Sequence, residues 1–461
     1  MKKKMFYGIP VLLGILFCFY YLYLAAGNVA YSDYIRLINA YLPDVGNPAK
    51  FFVPDILTRV PLTYLGRLVN VRLWGYNTMF DMSLGVLSLG IGAVALAFYA
   101  RRERKISPVW YLIVIFLYFG LNKWEMLTNG TGWVCFLSIS GFYWHYVILD
   151  RAVKTSHNNK TDRILLLLLP SALTILVAGP YCGSYSALLT LVYLVMLTVD
   201  FRKSKKINRL YAGYLAAVLV PLFLYLWSNS TAVYVHRGAV EGSIIEAFMA
   251  DPIFFVKFML KAFASVLLGM NQLISLAEGG APGGYTFVYL LGAFMIVLYL
   301  LGLFFTWKYK IYQETILPLL LILSGGLNHL LILISRWIFL KDFYGMSSRY
   351  SIQYQMGLIG ILWTFSIVWG LKRKITATPY ACKAMILLGT AVVLSCSACT
   401  TMQELETAPY RKAYLDISRE TGLNYRAASD EELEEYLHHD PDEIRKAMQI
   451  LEENNLNIFR K

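Results

Sequence analysis

Charged residues are scarce in this chain. They make up 15% of its 461 residues, whereas hydrophobic residues make up 57%. This composition differs from that of soluble domains, and the apolar runs repeatedly approach the roughly 20 residues that a helix needs to cross a bilayer. The sequence therefore predicts a polytopic integral membrane protein.

Familiar site motifs are also missing. The sequence contains no glycine-rich phosphate loop, no cysteine pair with metal-binding spacing and no HExxH pattern. Its six cysteines all lie in or beside apolar runs, which indicates membrane packing rather than a disulfide framework. Neither a nucleotide-binding loop nor a structural metal site is predicted.

Basic residues outnumber acidic residues by 42 to 29, giving a net charge of +13. A nucleic-acid surface would gather them on one face, but here they form short clusters between apolar runs. These clusters are Lys2 to Lys4, Arg101 to Lys105, Arg151 to Arg163, Arg202 to Arg209, Lys308 with Lys310, and Lys372 to Lys374. They fall at alternate ends of the predicted spans, so all can lie at the cytoplasmic face, and no nucleic-acid partner is predicted.

We therefore predict an all-α fold, a polytopic transmembrane helical bundle of about 11 spans. The predicted spans cover residues 6–26, 78–100, 107–121, 134–150, 164–178, 183–200, 210–228, 285–306, 315–335, 351–371 and 381–399. An odd number of crossings places the N-terminus in the cytoplasm and the C-terminus outside it. The predicted location is a bacterial plasma (inner) membrane, whose lipids surround the bundle.

Two predicted outer loops are long enough to be structured. In residues 27–77, leucines and a valine recur at helical spacing beside two arginines, which is typical of a helix in the headgroup layer. These residues are Leu62, Leu65, Leu68, Val69 and Leu73, with Arg67 and Arg72. In residues 229–284, the apolar stretch from Pro252 to Leu276 is broken by Lys257 and Lys261. A full crossing there would reverse every later span, so we predict an interfacial or re-entrant helix.

Residues 1–400 form the predicted transmembrane module, and residues 401–461 form a predicted small extracytoplasmic helical C-terminal domain. In this tail, Asp440, Pro441 and Glu443 supply a helix cap, a first-turn proline and a capping-box glutamate. Apolar residues then recur at helical spacing, at Ile444, Ala447, Met448 and Leu451. Ser429 with Glu432 predicts the start of a second helix in the same way.

Ionisable residues gather at the predicted outer membrane surface. They come from separate loops: Asp33 and Arg36, Lys123 and Glu125, His236 and Arg237, and Arg336, Lys341 and Arg349. For most of them the ordinary alternative is a solvated or snorkelling side chain. As a group they suit an anionic lipid headgroup and a hydroxyl to be activated, because they combine a basic pocket with one or two carboxylates.

With its long first outer loop, this layout resembles the GT-C superfamily of polyprenyl-phosphate-sugar-dependent glycosyltransferases. In sequence, the resemblance is carried by Ser32-Asp33-Tyr34, Trp124-Glu125 and Ser348-Arg349-Tyr350. It implies a polyprenyl-phosphate sugar donor and a glycan or lipid-linked acceptor.

The same resemblance implies catalytic roles for Asp33 and Glu125. It implies donor phosphate binding by Arg349 first, and otherwise by Arg36, His236, Arg237, Arg336 or Lys341. The second outer loop lacks the paired-acid signature of better-defined members, since Glu125 stands there alone. Use of a divalent cation, Mg²⁺ or Mn²⁺, is therefore left open, and no other cofactor is predicted.

Two other classes remain as alternatives. An O-antigen-type polysaccharide polymerase or ligase also acts on lipid-linked sugars through outer arginines, and would make Asp33 secondary. A lipid-linked sugar transporter or flippase fits less well, because the predicted spans carry few charges and show no clear internal repeat. Asp81 lies near a span end, and His145 and His329 are single histidines on apolar faces.

Overall fold

The computed structural model describes residues 2–49, 61–103, 105–230, 238–279, 283–371 and 380–461. These parts of the chain are helical and contain no strand. In chain order the α-helices are α1 (Lys2–Ala25), α2 (Asp33–Tyr41), α3 (Pro61–Val69), α4 (Thr78–Arg102), α5 (Pro108–Tyr118), α6 (Trp124–Thr128), α7 (Trp133–Lys154), α8 (Lys160–Ser171), α9 (Cys182–Ser204), α10 (Arg209–Asn229), α11 (Ile244–Ala250), α12 (Pro252–Ala264), α13 (Met270–Glu278), α14 (Gly284–Lys308), α15 (Leu317–Arg336), α16 (Ser351–Gly370), α17 (Tyr380–Leu423), α18 (Asp430–Leu437) and α19 (Pro441–Glu453).

Within the described residues, 9 helical segments are long and apolar enough to cross a membrane, as expected of a multi-pass protein. α16 is the central helix, since its side chains from Ser351 to Val368 are all buried. By contrast, α1, α10 and α14 expose many large apolar side chains, such as Leu13, Trp227 and Leu290, which is typical of helices that face lipid.

α5 is shorter than the predicted span 107–121. It has 11 residues, or about 16 Å at a rise of 1.5 Å per residue, whereas the hydrocarbon core is about 30 Å thick. The side chain of Ser107 caps the start of α5, and Pro108 is its first residue. The helix ends at Tyr118, two residues before Gly120. α5 alone therefore does not have the length of a full crossing.

The helical run over residues 160–204 folds back on itself. Only residues 205–208 separate its end from α10, so α9 ends beside the start of α10. The ring of His157, just before the run begins, lies 5.2 Å from the ring of Tyr211 in the first turn of α10. Both ends of the run thus lie at the same place, and the chain reverses near Gly179, where φ is +52°. The run, counted above as one of the 9 membrane-length segments, is therefore not one straight helix.

The apolar stretch from Pro252 to Leu276 forms two short helices instead of one long helix. α12 has 13 residues and α13 has 9, and both pack against α14. This is the arrangement expected of a segment that does not cross the membrane. In the first long loop, α3 exposes Leu65 and Val69 and buries Arg67, whose guanidinium lies 4.5 Å from the ring centre of Tyr41.

Ion pairs mark one end of the bundle. Arg102 at the end of α4 pairs with Asp150 near the end of α7, and Arg151 pairs with Asp162 in α8. Two of the predicted basic clusters therefore lie at the same end. α2, α6 and α19 lie at the opposite end, beside the start of α4.

α17 runs without interruption for 44 residues, or about 66 Å, and so continues well beyond the predicted span 381–399. The predicted helices of the tail are confirmed. Ser429 and Glu432 form a complete capping box at the start of α18, and Asp440 caps α19. Glu443 does not complete a second box. Its carboxylate instead accepts a hydrogen bond from the side-chain amide of Asn39, at 2.5 Å.

The C-terminal helices pack onto the first loop. A separate hydrophobic cluster joins Tyr34, Ile35 and Ile38 of α2 to the apolar sides of α18 and α19. Beyond α19, the Asn457 side chain accepts a hydrogen bond from the backbone N–H of Ala30 (3.0 Å) and donates to Asn28 (2.9 Å) and to the Tyr76 carbonyl (2.8 Å). These bonds fix the chain immediately before α2.

Candidate functional site

Arg349 lies between two carboxylates that come from distant parts of the sequence. Its Nε is 2.5 Å from Oε1 of Glu125, and its Nη1 is 3.3 Å from Oδ2 of Asp33. The hydroxyl of Ser348 donates a further hydrogen bond to Oε2 of Glu125, at 3.0 Å. The three charged side chains remain partly accessible, with 37% of Arg349, 35% of Asp33 and 26% of Glu125 exposed. We call these three residues the ionic cluster.

Asp33 is held at the first position of α2 by contacts on both sides. The backbone N–H of Ser32 donates to the carbonyl of Leu437 in α18, at 2.8 Å. On the other side, the hydroxyl of the buried Tyr34 donates to Oδ2 of Asp81, at 2.9 Å, and Asn70 donates to Oδ1 of Asp81, at 3.0 Å. Because Tyr34 is anchored inward, the neighbouring Asp33 side chain is left at the surface of the site.

The segment between α6 and α7, in the second predicted outer loop, passes directly over Tyr34. Gly130 lies so close to Tyr34 that an added Cβ would be 2.0 Å from the phenol oxygen and 3.1 Å from the carbonyl of Thr78. Glycine allows this close approach because it has no Cβ to collide with the phenol oxygen of Tyr34.

Glu125 is positioned by the turn that follows α5. The ammonium group of Lys123 is buried and donates to the carbonyls of Tyr118 and Gly120, each at 2.8 Å. Carbonyls at a helix C-terminus carry partial negative charge and attract a cation. Burial nevertheless lowers the pKa of Lys123 to about 7, because the charged ammonium loses its hydration. This capping turn places Trp124 and Glu125 at the start of α6.

A second ion pair supports the same turn from α17. The guanidinium of Arg411 lies over the ring of Trp124, 3.2 Å from its centre, and pairs with the buried Glu404 at 2.7 Å. Asn271 of α13 donates to the other oxygen of Glu404, at 3.3 Å. α17 thereby links the second loop to the short helices of the 238–279 region.

The C-terminal helices contribute aromatic and imidazole groups beside the ionic cluster. The ring of Tyr31 is 6.3 Å from that of His438, whose Nε2 is 3.2 Å from the hydroxyl of Tyr414. Burial and the nearby Glu125 carboxylate raise the pKa of Tyr31 to about 12. Burial, aided by the positive charge of Arg349, lowers the pKa of His438. Both rings are therefore close enough to respond to the charges of the cluster.

Two of the other residues predicted to bind phosphate, Arg336 and Arg36, lie near members of the ionic cluster. Arg336 ends α15, and its guanidinium lies 5.8 Å from the ring centre of Tyr350, the residue after Arg349. Arg36 is half-buried one turn after Asp33, on the same helix.

One of the predicted phosphate-binding residues, Lys341, does not join the cluster. Lys341 is exposed, and its ammonium lies 5.9 Å from the ring centre of Tyr344 instead of facing a carboxylate of the cluster. His236 and Arg237 lie outside the described residues.

The described residues do not fit a resident metal ion. They include no group of three or more histidines, cysteines, aspartates or glutamates that could hold one. Asp33 and Glu125 provide two carboxylates, but the guanidinium of Arg349 already fills the space between them. A cation would have to displace that guanidinium.

Four residues near the cluster were not among the predicted site residues: Tyr31, Ser348, Arg411 and His438. Tyr31 lies two residues before Asp33 and Ser348 directly precedes Arg349, so their positions in the sequence could have indicated that they belong to the site. Nothing in the sequence distinguishes Arg411 and His438 from other polar residues of the tail. Only the packing of α17 and α18 brings them close to the ionic cluster.

Comparisons with known proteins found no matching family model, no similar curated protein and no similar solved structure.

Proposed function

We propose that this protein is a membrane glycosyltransferase that moves a sugar from a polyprenyl-phosphate donor to a cell-envelope glycan or lipid-linked acceptor. We place the reaction on the outer face of a bacterial plasma membrane. One observation carries the proposal: the carboxylates of Asp33 and Glu125 and the guanidinium of Arg349 meet at one end of a bundle of membrane-length helices.

Asp33 is the proposed general base. Its Oδ2 lies against Arg349, while none of the residues that the structure describes donates a hydrogen bond to its Oδ1. That oxygen can accept the proton of an acceptor hydroxyl as it attacks the anomeric carbon of the sugar. Glu125 holds Arg349 in position from the other side. A single displacement of this kind inverts the configuration at the anomeric carbon.

Arg349 is the proposed partner of the departing phosphate. A guanidinium has five N–H donors, and the two carboxylates use two of them, so about three remain for a phosphate. Arg349 can therefore bind the lipid phosphate without leaving Asp33 and Glu125. Charge-assisted bonds to the leaving group stabilise the transition state as negative charge develops on it.

The position of Arg336 favours a second candidate, a polysaccharide polymerase or ligase that acts on lipid-linked sugars. The guanidinium of Arg336 lies 5.8 Å from the ring centre of Tyr350, the residue after Arg349, so a second guanidinium group is close to the one that would bind an anionic headgroup. In that reaction Asp33 would be secondary, and removal of either arginine would matter more than removal of the carboxylate.

The test is in vitro transfer from a polyprenyl-phosphate sugar by Asp33→Asn. We expect transfer to be lost while expression and membrane insertion stay near normal, because the change removes the base and keeps the shape. Asp44→Asn is the matched control, since Asp44 is an exposed aspartate of the same loop that lies outside the cluster. Transfer retained within a few-fold in Asp33→Asn would refute the assignment of the base.

A further inference from the structure

A cavity of about 300 Å³ lies apart from the ionic cluster, between α12, α13, the start of α14 and the turn at residues 342–346. Most of its lining is apolar, including Leu273, Val288 and Met346. Its volume is at the lower end of the range for small-molecule sites. A second cavity, of about 630 Å³, opens at the surface beside Arg419 and Glu432 and contains none of the residues of the ionic cluster.

The polar part of the 300 Å³ cavity contains charges of both signs. Lys261 is only 5% exposed, and its ammonium pairs with Asp342 at 2.7 Å. The same ammonium lies 5.2 Å from the ring centre of Tyr285, and Glu278 also contributes to the lining. The cavity therefore offers one ammonium to an anionic group and two carboxylates to a cationic group, a combination that suits a ligand carrying both charges.

The position of the cavity connects it to the bilayer. Tyr285 lies in the first turn of α14, a helix long and apolar enough to span a membrane, so the charged groups lie at the depth of lipid headgroups. On the same helix, Phe287 and Leu290 are exposed at 47% and 61%, as expected of side chains that face lipid. A membrane lipid can therefore reach the cavity sideways.

We propose that this cavity binds a phospholipid whose headgroup carries a primary ammonium group. The lipid phosphate lies against Lys261, and the lipid ammonium lies against the carboxylates of Asp342 and Glu278 and the ring of Tyr285. Aromatic faces attract cations, and the carboxylates accept hydrogen bonds from a primary ammonium. The apolar lining takes the first part of an acyl chain. This site does not depend on the proposed transferase activity.

The experiment is native mass spectrometry of the full chain in detergent. Dioleoyl lipids with ethanolamine, glycerol or choline headgroups are titrated separately, and phosphoethanolamine without chains is added as a soluble competitor. We expect the ethanolamine lipid to bind about tenfold more tightly than either other lipid. We expect soluble phosphoethanolamine to compete weakly, because it cannot fill the apolar part of the cavity.

Two variants locate the site, each with a matched control. Glu278→Gln and Tyr285→Leu should each reduce the preference for the ethanolamine lipid several-fold, and neither removes the buried ammonium. Glu241→Gln changes an exposed carboxylate of the same connecting region, and Phe287→Leu changes a lipid-facing ring on the same helix turn, so both should keep the preference.

Four results would overturn the proposal. Equal affinity for all three lipids would remove the headgroup preference, and a choline lipid as tight as the ethanolamine lipid would remove the role of the primary ammonium. A preference unchanged in both Glu278→Gln and Tyr285→Leu would place the lipid elsewhere. Soluble phosphoethanolamine that competes as well as the lipid would show a site for a soluble ion instead.

Discussion

The arginine of the ionic cluster makes contacts that a lysine cannot reproduce. Nε of Arg349 faces Glu125 while Nη1 faces Asp33, so the two carboxylates are held by different nitrogens of one planar group. The ammonium group of a lysine is a single point and cannot occupy both positions. Arg349→Lys therefore keeps the charge but loses at least one charge-assisted hydrogen bond, together with the fork that would hold the leaving phosphate.

We expect Arg349→Lys to cost about 1 to 3 kcal/mol of transition-state stabilisation, a reduction of roughly ten- to a hundred-fold in rate. The effect on folding should be smaller, because all three side chains of the cluster are partly exposed and water screens their interaction. Arg349→Ala should reduce the rate further, since it also leaves the two carboxylates facing each other without a cation.

The assay is the rate of sugar transfer at saturating acceptor, with thermal unfolding measured on the same preparations. Arg336→Lys and Lys341→Ala serve as comparisons, because Arg336 contacts the neighbouring Tyr350 and Lys341 lies away from the cluster. An arginine that only anchors a helix at the membrane surface would be replaced by lysine with almost no loss. If Arg349→Lys matches the wild type while one of the other variants loses activity, Arg349 is not the phosphate-binding residue.

Three further predictions concern orientation, pH and the C-terminal segment. A cysteine introduced at position 440 should react with an impermeant thiol reagent in intact cells or spheroplasts, and one at position 204 only after permeabilisation; the reverse pattern would place Asp33 in the cytoplasm. Burial lowers the folded-state pKa of Lys123 to about 7, so the unfolded chain binds more protons above that pH. The melting temperature of the wild type should therefore rise relative to that of Lys123→Met between about pH 7 and pH 9, and parallel curves would contradict this. Asn457→Ala should lower the free energy of unfolding by about 1 to 3 kcal/mol in denaturant titrations, because it leaves the buried N–H of Ala30 without its acceptor; an unchanged midpoint would argue against this role.

Local patterns predicted the elements that local chemistry determines. The helix at Pro441–Glu453 follows from its aspartate cap and from four apolar residues at helical spacing, all of which are fully buried. The start of α18 follows from Ser429 and Glu432 in the same way. The apolar runs predicted the membrane-length helices because transfer of such a run from water into lipid is favourable whichever helices it later packs against.

Packing between distant segments was only partly predictable. The topology predicted that the loops of Asp33, Glu125 and Arg349 lie at one surface, and the structure places these side chains in contact, while their catalytic roles stay predictions. The contact of Arg411 with Trp124 depends on the direction in which α17 leaves the bundle. No periodicity or cap in the sequence encodes that direction, because it is set by packing against other helices.

The hydrogen bond between Ala30 and Asn457 has a consequence for the order of events during synthesis. It joins residues 427 positions apart, so the segment that fixes Asp33 cannot reach its final arrangement when the first loop leaves the ribosome. At 5 to 20 residues per second, its partner follows roughly 20 to 85 s later. The membrane helices have already been made by then, so the contacts that fix the segment before Asp33 are completed last. We therefore expect nascent chains that lack the final helices to be inserted in the membrane and to be inactive in the proposed sugar transfer until the chain has been synthesised through Asn457.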